Sequence, residues 1–349
     1  MSAEIWILAP VAGLLCMALT GVARRFALSQ GMLDFPNARS SHVRATPRGG
    51  GVSIVVVVSA ALALLCARGL INVDLFVALI GGGALVALVG LLDDRKAVPA
   101  TIRLTVHLVA AVWSVSWLDG FAGLRVGSHV VLGGLTGDAL AVLAIVWTLN
   151  LFNFMDGIDG IAASEAILVA AGAALLLGPS SGVIAAALIL AAACAGFLAW
   201  NWPPARIFLG DVGSGYLGFV ISVLAIASAR AGTAQPWVWL ILSGAFLADA
   251  TITLARRLMR GERVYEAHRS HAYQRLARRW RSHLRVTLAV VLLNLLWLLP
   301  CAALAAEHPT DAAWIAVAAL LPVGALILLA GAGCKEERSN ARAGDPPHQ

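Results

Sequence analysis

The stretch GVIAAALILAAACAGFLAWNW, residues 182–202, carries no charged side chain from end to end. A helix needs about 20 such residues to cross the roughly 30 Å apolar core of a bilayer. Similar uncharged runs occupy 49–67 and 212–229, and only 13% of all residues are charged, against about 25% in a soluble domain. Because these runs are continuous and not alternating, they predict an all-α, polytopic membrane helical bundle and exclude a β-barrel.

Hydropathy predicts about eleven transmembrane helices, with ten as the alternative count. The predicted spans are 5–23, 50–67, 72–92, 101–118, 137–154, 160–177, 182–201, 212–230, 236–255, 285–305 and 312–332. Basic residues follow the first span instead of preceding it, so we expect a retained helix and not a cleaved signal peptide. We expect residues 1–333 to form a single integral-membrane domain and 334–349 to be a disordered cytoplasmic tail.

The basic residues predict the orientation of these helices. With the N-terminus in the periplasm and the C-terminus in the cytoplasm, 22 of the 25 lysine and arginine residues lie on the cytoplasmic side. The net charge of +6 is therefore explained by membrane orientation, and no nucleic-acid partner is expected. In the same orientation, the polar-rich segments between the spans all lie on the cytoplasmic face. The predicted cytoplasmic catalytic loops are 24–49, 93–100, 150–160, 201–211 and 256–284.

Two adjacent carboxylates, Asp93 and Asp94, end the predicted span 72–92. The C-terminus of a helix carries partial negative charge and disfavours carboxylates, so this pair needs a compensating cation. Mg²⁺ and nearby basic residues are both candidates. The alternative is a solvated helix end in which Arg95 and Lys96 are the partners.

The segment NLFNFMDGIDG, residues 150–160, concentrates polar groups between two apolar runs. Its amides and carboxylates recur every three residues, at Asn150, Asn153, Asp156 and Asp159. Each step of three turns a helical side chain back by about 60°, so one regular helix cannot aim all four at one point. Gly157 and Gly160 allow the chain to bend there. Hard oxygen ligands of this kind suit Mg²⁺, although a polar connection with Asp159 as a helix cap is the alternative.

Two further segments carry candidate phosphate contacts. In FLGDVGSGYLG, residues 208–218, Gly213 and Ser214 follow Asp211 at a predicted helix start, where backbone N–H groups bind phosphate oxygens. A simple Asp N-cap is the alternative. In HRSHAYQR, residues 268–275, no third ligand stands at the spacing of a zinc site, so phosphate contacts are predicted instead. The residues predicted to make them are His268, Arg269 and His271.

Other residues of the loop 256–285 are typical of a basic amphipathic helix on anionic lipid. Asp249 and His107 lie within the predicted spans 236–255 and 101–118. Asp249 is expected to face the bundle interior, and His107, one turn past Arg103, is expected to be an interior residue with satisfied hydrogen bonds.

The chain resembles the polyprenyl-phosphate N-acetylhexosamine-1-phosphate transferases in the order of four motifs. These are the DD at a helix end, NxxNxxDGxDGxA, LGDxGSxxLG and the histidine-containing loop. This family includes the peptidoglycan lipid I synthase and the enzymes that initiate O-antigen synthesis. The resemblance covers residues from about 34 to 274. It implies transfer of a sugar-1-phosphate from a UDP-N-acetylhexosamine to undecaprenyl phosphate, with release of UMP, on the cytoplasmic face of the bacterial inner membrane.

The resemblance also implies site roles and a cofactor. Mg²⁺, with Mn²⁺ as a substitute, is implied at Asn153 and Asp211. Catalytic roles fall on Asp93, Asp94, Asp156, His268 and His271. The resemblance and the residue patterns above together assign substrate contacts to Asn150, Asp159, Arg269, Gly213, Ser214 and Arg48. The lipid phosphate already carries charge at neutral pH, so Asp93 is expected to position it and not to deprotonate it.

The sequence HRSH departs from the three consecutive histidines of the peptidoglycan enzyme. It therefore favours the subgroup that initiates O-antigen or capsule synthesis over lipid I synthase, which stays the alternative. A prenyltransferase of the UbiA type and a transporter are more distant alternatives. The sequence leaves open which N-acetylhexosamine is carried, which glycan is fed, which of Asp93 and Asp94 acts as a base, and whether the chain forms a homodimer.

Overall fold

The computed structural model describes residues 3–35, 45–177, 182–230, 236–263 and 268–334, and most of them are helical. A π-helical turn, Asn294–Leu298, joins the α-helices His283–Leu293 and Leu299–Glu307 in one continuous segment. The helices are α1 Ala3–Ser29, α2 Gly51–Ala67, α3 Val73–Arg95, α4 Ala100–Trp117, α5 Gly134–Met155, α6 Ile161–Leu176, α7 Gly182–Asn201, α8 Asp211–Arg230, α9 Pro236–Leu242, α10 Gly244–Met259, α11 Ala272–Trp280, α12 His283–Leu293, α13 Leu299–Glu307 and α14 Ala312–Leu329.

Each predicted span coincides with one of these helices or with a joined pair. Among the described residues, eight helices are long and apolar enough to cross a membrane, or nine if the bent pair α9–α10 is one span. This confirms an all-α polytopic membrane protein. The helices α2 and α6 have 17 and 16 residues and rise only about 24–26 Å. The count of eleven spans and the orientation therefore stay predictions.

The predicted span 236–255 is broken in the structure into α9 and α10. The chain bends by 77° between α9 and α10. Gly244 starts α10 where a Cβ atom would lie 2.6 Å from a side-chain carbon of Leu320. The bend therefore allows α10 to pack closely on α14 while α9 packs on α13.

The helix α8 lies in the centre of the bundle. About 89% of its membrane-spanning window is buried, and it packs mainly against α3 and α5. At Gly90 of α3, a Cβ atom would lie 2.6 Å from the backbone oxygen of Asp211. This close approach places the N-terminus of α8 directly against the last turn of α3.

The predicted catalytic loops converge at one end of the bundle. Hydrogen bonds at this end join the last turn of α3, the last turn of α5 and the connection before α6 to the start of α8 and its preceding loop. A two-residue ladder, β1 Leu33–Asp34 with β2 Thr46–Pro47, lies beside them. A hairpin between α4 and α5 pairs β3 Leu124–Val126 with β4 His129–Val131. These short strands were not predicted.

Some predicted features lie outside the described residues. They include Arg39 and Arg44 of the first loop and residues 335–349 of the predicted tail. The prediction of a single domain over 1–333 stays a prediction.

Gly218→Ala is expected to lower the melting temperature. Its Cβ would lie 2.5 Å from the carbonyl oxygen of Thr148, so α5 and α8 would have to separate. Overpacking of this kind costs about 1–3 kcal/mol, more than the roughly 1 kcal/mol that alanine gains over glycine in a helix. Thermal unfolding of the detergent-solubilised chain measures the change.

Gly215→Ala in the same helix is the matched control. Its Cβ would meet Val86 at 3.4 Å, an ordinary contact, so the melting temperature should hold or rise. Equal melting temperatures for both variants would contradict the close contact between α5 and α8.

Candidate active site

The carboxylate of Asp94 caps the N-terminus of α8. Its Oδ1 accepts from the N–H of Asp211 at 3.0 Å, and its Oδ2 accepts from the N–H of Val212 at 3.2 Å. Arg48 Nη2 lies 3.0 Å from the same Oδ1. A helix N-terminus carries partial positive charge, so it stabilises this buried carboxylate. Asp94 therefore holds α3, α8 and the segment after β2 together.

Asp93 faces a different set of groups. It accepts from the N–H of Val98 at 2.6 Å and forms an ion pair with Arg103. Arg103 Nη1 also lies 3.7 Å from Asp211 Oδ2, so one arginine lies between two carboxylates. The cations that compensate the pair at the end of α3 are thus Arg48 and Arg103, not Arg95 and Lys96.

Asn153 and Asp211 are brought into contact, as predicted. Asn153 Nδ2 donates to Asp211 Oδ1 at 2.8 Å and to Ser214 Oγ at 3.1 Å. Asn150, one turn earlier, is not part of this cluster, because its Nδ2 donates to the Val146 carbonyl at 2.7 Å.

The start of α8 does not offer the expected N–H groups. Those of Gly213 and Ser214 both donate to the Gly210 carbonyl at 3.0 Å. A Cβ atom on Gly213 would lie 2.8 Å from the Cα of Gly51. Gly213 therefore allows α2 and α8 to pack closely. Neither Gly213 nor Ser214 keeps a free backbone N–H group for the predicted phosphate contact.

The connection between α5 and α6 bends where the glycines predict it. Asp156 follows the last residue of α5, and Gly160 has a φ of 75°, a left-handed conformation that favours glycine. Asp159 accepts from the N–H of Ala205 at 3.1 Å and lies 3.2 Å from His283 Nδ1. It thus joins this connection to the loop before α8 and to α12.

Asp156 differs from the other carboxylates, because no side-chain hydrogen bond joins it to another described residue. Burial raises its pKa well above the usual range, and the negative charges of Asp211, Asp94 and Asp159 raise it further. Asp156 thus lines the polar cavity without a hydrogen-bonded side-chain partner among the described residues.

Asp249 caps α11 in the way that Asp94 caps α8. Its two oxygens accept from the N–H groups of Ala272 at 2.9 Å and Tyr273 at 3.0 Å, and Thr253 Oγ1 donates at 3.0 Å. His271 Nδ1 lies 3.4 Å from the same carboxylate. The sequence assigned no role to Asp249 beyond an interior position.

A stack of rings holds the histidine loop against the end of α5. The ring centroids of His268 and His271 are 4.8 Å apart, and His271 also stacks on Phe154 and Tyr273. Tyr273 Oη donates to the Phe154 carbonyl at 2.9 Å. Because His271 is only 2% exposed, it supports the loop from inside.

His268 is not a cation at neutral pH. Its pKa is lowered to about 3, first by burial and then by electrostatic interaction with His271 and Arg257. Ser270 Oγ lies 2.9 Å from its Nδ1. Arg269 is partly buried, and its carbonyl accepts from Arg278 at 2.8 Å. Diphosphate contacts by His268, Arg269 and His271 stay predictions, and none of the three lines the cavities described next.

A polar cavity of about 280 Å³ lies beside the α5–α6 connection. Four of its polar side chains were not singled out from the sequence: Asp34, Asn201, Gln274 and His283. The predicted residues that line it are Arg48, Asp94, Asp156, Asp159 and Asp211.

An apolar groove of about 360 Å³ runs between α3, α4, α5 and α8. It shares Leu143 and Trp147 with a second apolar cavity of about 420 Å³, which extends towards α9. The polar residues at the groove are Arg103, His107, Asn150, Asn153 and Asp211.

Asp211 lines both the polar cavity and the apolar groove. The described residues contain no group of three or more His, Cys, Asp or Glu side chains arranged to hold a metal. Mg²⁺ needs only one or two protein ligands when waters and substrate phosphates complete its sphere. The contact between Asn153 and Asp211 fits that requirement, since Asp211 keeps 35% of its side chain exposed.

Comparison with known proteins finds sequences similar to this chain among transferases. Residues 76–229 match the family model described as glycosyl transferase family 4. The chain is 28% identical to a probable undecaprenyl-phosphate N-acetylglucosaminyl 1-phosphate transferase of Bacillus subtilis (strain 168), over 80% of this chain and 79% of the relative. It is 29% identical to an undecaprenyl-phosphate alpha-N-acetylglucosaminyl 1-phosphate transferase of Thermotoga maritima, over 80% and 86%.

A phospho-N-acetylmuramoyl-pentapeptide-transferase of Acaryochloris marina is 31% identical over 48% of each chain. Over residues 76–229 the chain is thus similar to glycosyl transferase family 4, and the comparisons indicate a transferase. The matched range includes the carboxylates of α3, α5–α6 and α8 but neither Arg48 nor the histidine loop.

Asp249→Ala is expected to release the start of α11. It leaves the buried N–H groups of Ala272 and Tyr273 without an acceptor, at about 1–3 kcal/mol each. Limited trypsin digestion reads this directly, because the segment 256–285 contains ten arginines. We expect faster cleavage there than in the wild type. The control is Asp74→Ala, an exposed carboxylate of α3; equal cleavage in both variants would refute the capping role of Asp249.

The depressed pKa of His268 predicts a loss of stability in mild acid. An unfolded histidine titrates near 6.5, so below that pH the unfolded state binds more protons and the folded state is destabilised, down to about pH 3. His268→Gln should show a smaller drop in melting temperature between pH 7.5 and pH 5. The exposed His129→Gln variant should follow the wild type. An identical drop in all three proteins would contradict a neutral, buried His268.

Proposed function

We propose that this chain transfers N-acetylhexosamine-1-phosphate from a UDP-sugar to undecaprenyl phosphate, giving an undecaprenyl-diphosphate-sugar and UMP. The observation that carries this proposal is the position of Asp211 between a polar cavity and an apolar groove. A water-soluble donor and a membrane-bound acceptor can meet only at such a boundary. UDP-N-acetylglucosamine is the first candidate donor, since the names of several relatives contain N-acetylglucosaminyl.

The polar cavity suits the nucleotide sugar, and the apolar groove with the cavity beyond it suits the isoprenoid chain. The acceptor phosphate would lie at the polar end of the groove, beside Arg103 and Asp211. One of its oxygens attacks the phosphorus that carries the sugar. The new phosphorus–oxygen bond forms as the bond from that phosphorus to the bridging oxygen breaks, and UMP leaves with that oxygen.

The arginines of the site act mainly through charge and position. Arg103, oriented by Asp93, would hold the acceptor phosphate, and Arg48, oriented by Asp94, lies at the polar cavity. Such pre-positioned cations stabilise charge that develops in the transition state. Mg²⁺, which Asn153 and Asp211 would hold, supplies when bound further positive charge to the diphosphate.

The cellular setting follows from the sequence and belongs to the same proposal. The basic residues support a bacterial inner-membrane location with the site on the cytoplasmic face. The reaction would be the first membrane step of O-antigen or another cell-surface polysaccharide. Lipid I synthesis is the second candidate, supported by the relative from Acaryochloris marina, which matches only about half of the chain.

The assay combines the purified chain in detergent with undecaprenyl phosphate, Mg²⁺ and a panel of UDP-N-acetylhexosamines, and it reads UMP release. We expect UMP only with the lipid phosphate and with one or two sugars, and none in excess EDTA. Asp211→Asn should lower turnover by about 100-fold or more, because it removes charge at the meeting point of the substrates.

Asp311→Asn is the matched control, an exposed carboxylate before α14 that should keep full turnover. Folded protein that releases no UMP with any donor would overturn the transferase. Uptake of an intact nucleotide sugar into sealed vesicles, without UMP, would instead support a transporter.

A further inference from the structure

His107 of α4 is a buried polar residue with unsatisfied hydrogen-bonding groups. It is 7% exposed, and its Nδ1 is fully buried without a hydrogen-bond partner. No hydrogen bond joins either ring nitrogen to another described residue. The prediction of a satisfied interior residue is therefore wrong. A buried polar group left unpaired costs about 1–3 kcal/mol, so its presence calls for a ligand or a function.

The position of His107 shows where such a ligand would lie. Ala100, Arg103, Leu104 and His107 form one stripe along α4, and all four line the apolar groove. His107 follows Arg103 by four residues, which is about 6 Å further along the helix axis. Val146, Trp147 and other apolar residues line the same groove. His107 is thus the polar residue that an occupant meets one turn beyond the arginine.

We propose that His107 is an acceptor-recognition residue whose ring N–H donates to the phosphate head of the isoprenoid in the groove. This rests on the proposed function. A phosphate monoester has three free oxygens and one ester oxygen, and the ester oxygen faces the chain. With the free oxygens beside Arg103, the ester side lies deeper in the groove, at the level of His107.

The test is made on the full chain in detergent with His107→Leu, which keeps volume and removes the donor. At saturating UDP-N-acetylglucosamine, the KM for undecaprenyl phosphate should rise about tenfold, the loss of one hydrogen bond to a charged group. The KM for the donor should stay within about twofold. The melting temperature should hold or rise, because an unpaired buried polar group is gone.

His107→Gln, which keeps an N–H donor, should recover part of the acceptor affinity. The matched control is Thr105→Leu on the exposed side of α4, which should keep the wild-type KM for both substrates. If His107→Leu leaves the acceptor KM unchanged, the inference is wrong. If it lowers the melting temperature and changes both KM values alike, His107 is structural and the inference is also wrong.

A second readout separates this inference from the proposed reaction. Undecaprenyl phosphate should raise the melting temperature of the wild type, by a smaller amount in His107→Leu, whereas undecaprenol and inorganic phosphate should raise neither. Such a difference without any UMP release would support His107 and overturn the transferase. UMP release with equal lipid stabilisation of both proteins would support the transferase and overturn the role of His107.

Discussion

The site depends on one interaction, the contact of the Asp94 carboxylate with the N-terminus of α8. The first N–H groups of a helix have no partner within the helix, so where they are buried an acceptor must come from another part of the chain. Asp94 supplies it from the last turn of α3, and Arg48 balances the charge. Because α8 begins at Asp211, the same contact fixes where Asp211 lies between the polar cavity and the apolar groove.

The same physical constraint explains Asp249. The loop after α10 must enter the interior at the start of α11, where the N–H groups of Ala272 and Tyr273 are buried. A carboxylate on α10 caps them, so the bend between α9 and α10 also sets the position of the histidine loop. Both carboxylates lie in membrane-spanning helices and hold a second element in place. A buried aspartate at such a site therefore indicates a structural role as readily as a catalytic one.

The spans were predictable because lipid imposes one composition on every helix that crosses it. The convergence of polar loops was predictable as well, because charge follows membrane orientation. Individual partners were not predictable, since Asp94 pairs with Arg48 across 46 positions and not with its neighbour Arg95. Gly213 illustrates the same limit, because a glycine for phosphate binding and a glycine for close helix packing have the same sequence pattern. The bend after Leu242 has no proline at the break, and it depends on packing between distant helices.

The charges at the site explain why a divalent cation is expected, although the described part of the chain has no group of three or more His, Cys, Asp or Glu side chains arranged to hold a metal. The carboxylates around the two cavities outnumber the arginines that face them. They are Asp34, Asp94, Asp156, Asp159 and Asp211, against Arg48 and Arg103. Each of these arginines is already paired with a carboxylate, so a diphosphate and a lipid phosphate would add more negative charge than the two arginines balance. Burial first, and then the negative charges of Asp211, Asp94 and Asp159, raise the pKa of Asp156. A nucleotide sugar can approach such a site only with its own charge partly neutralised, which favours entry of the donor as a complex with the metal.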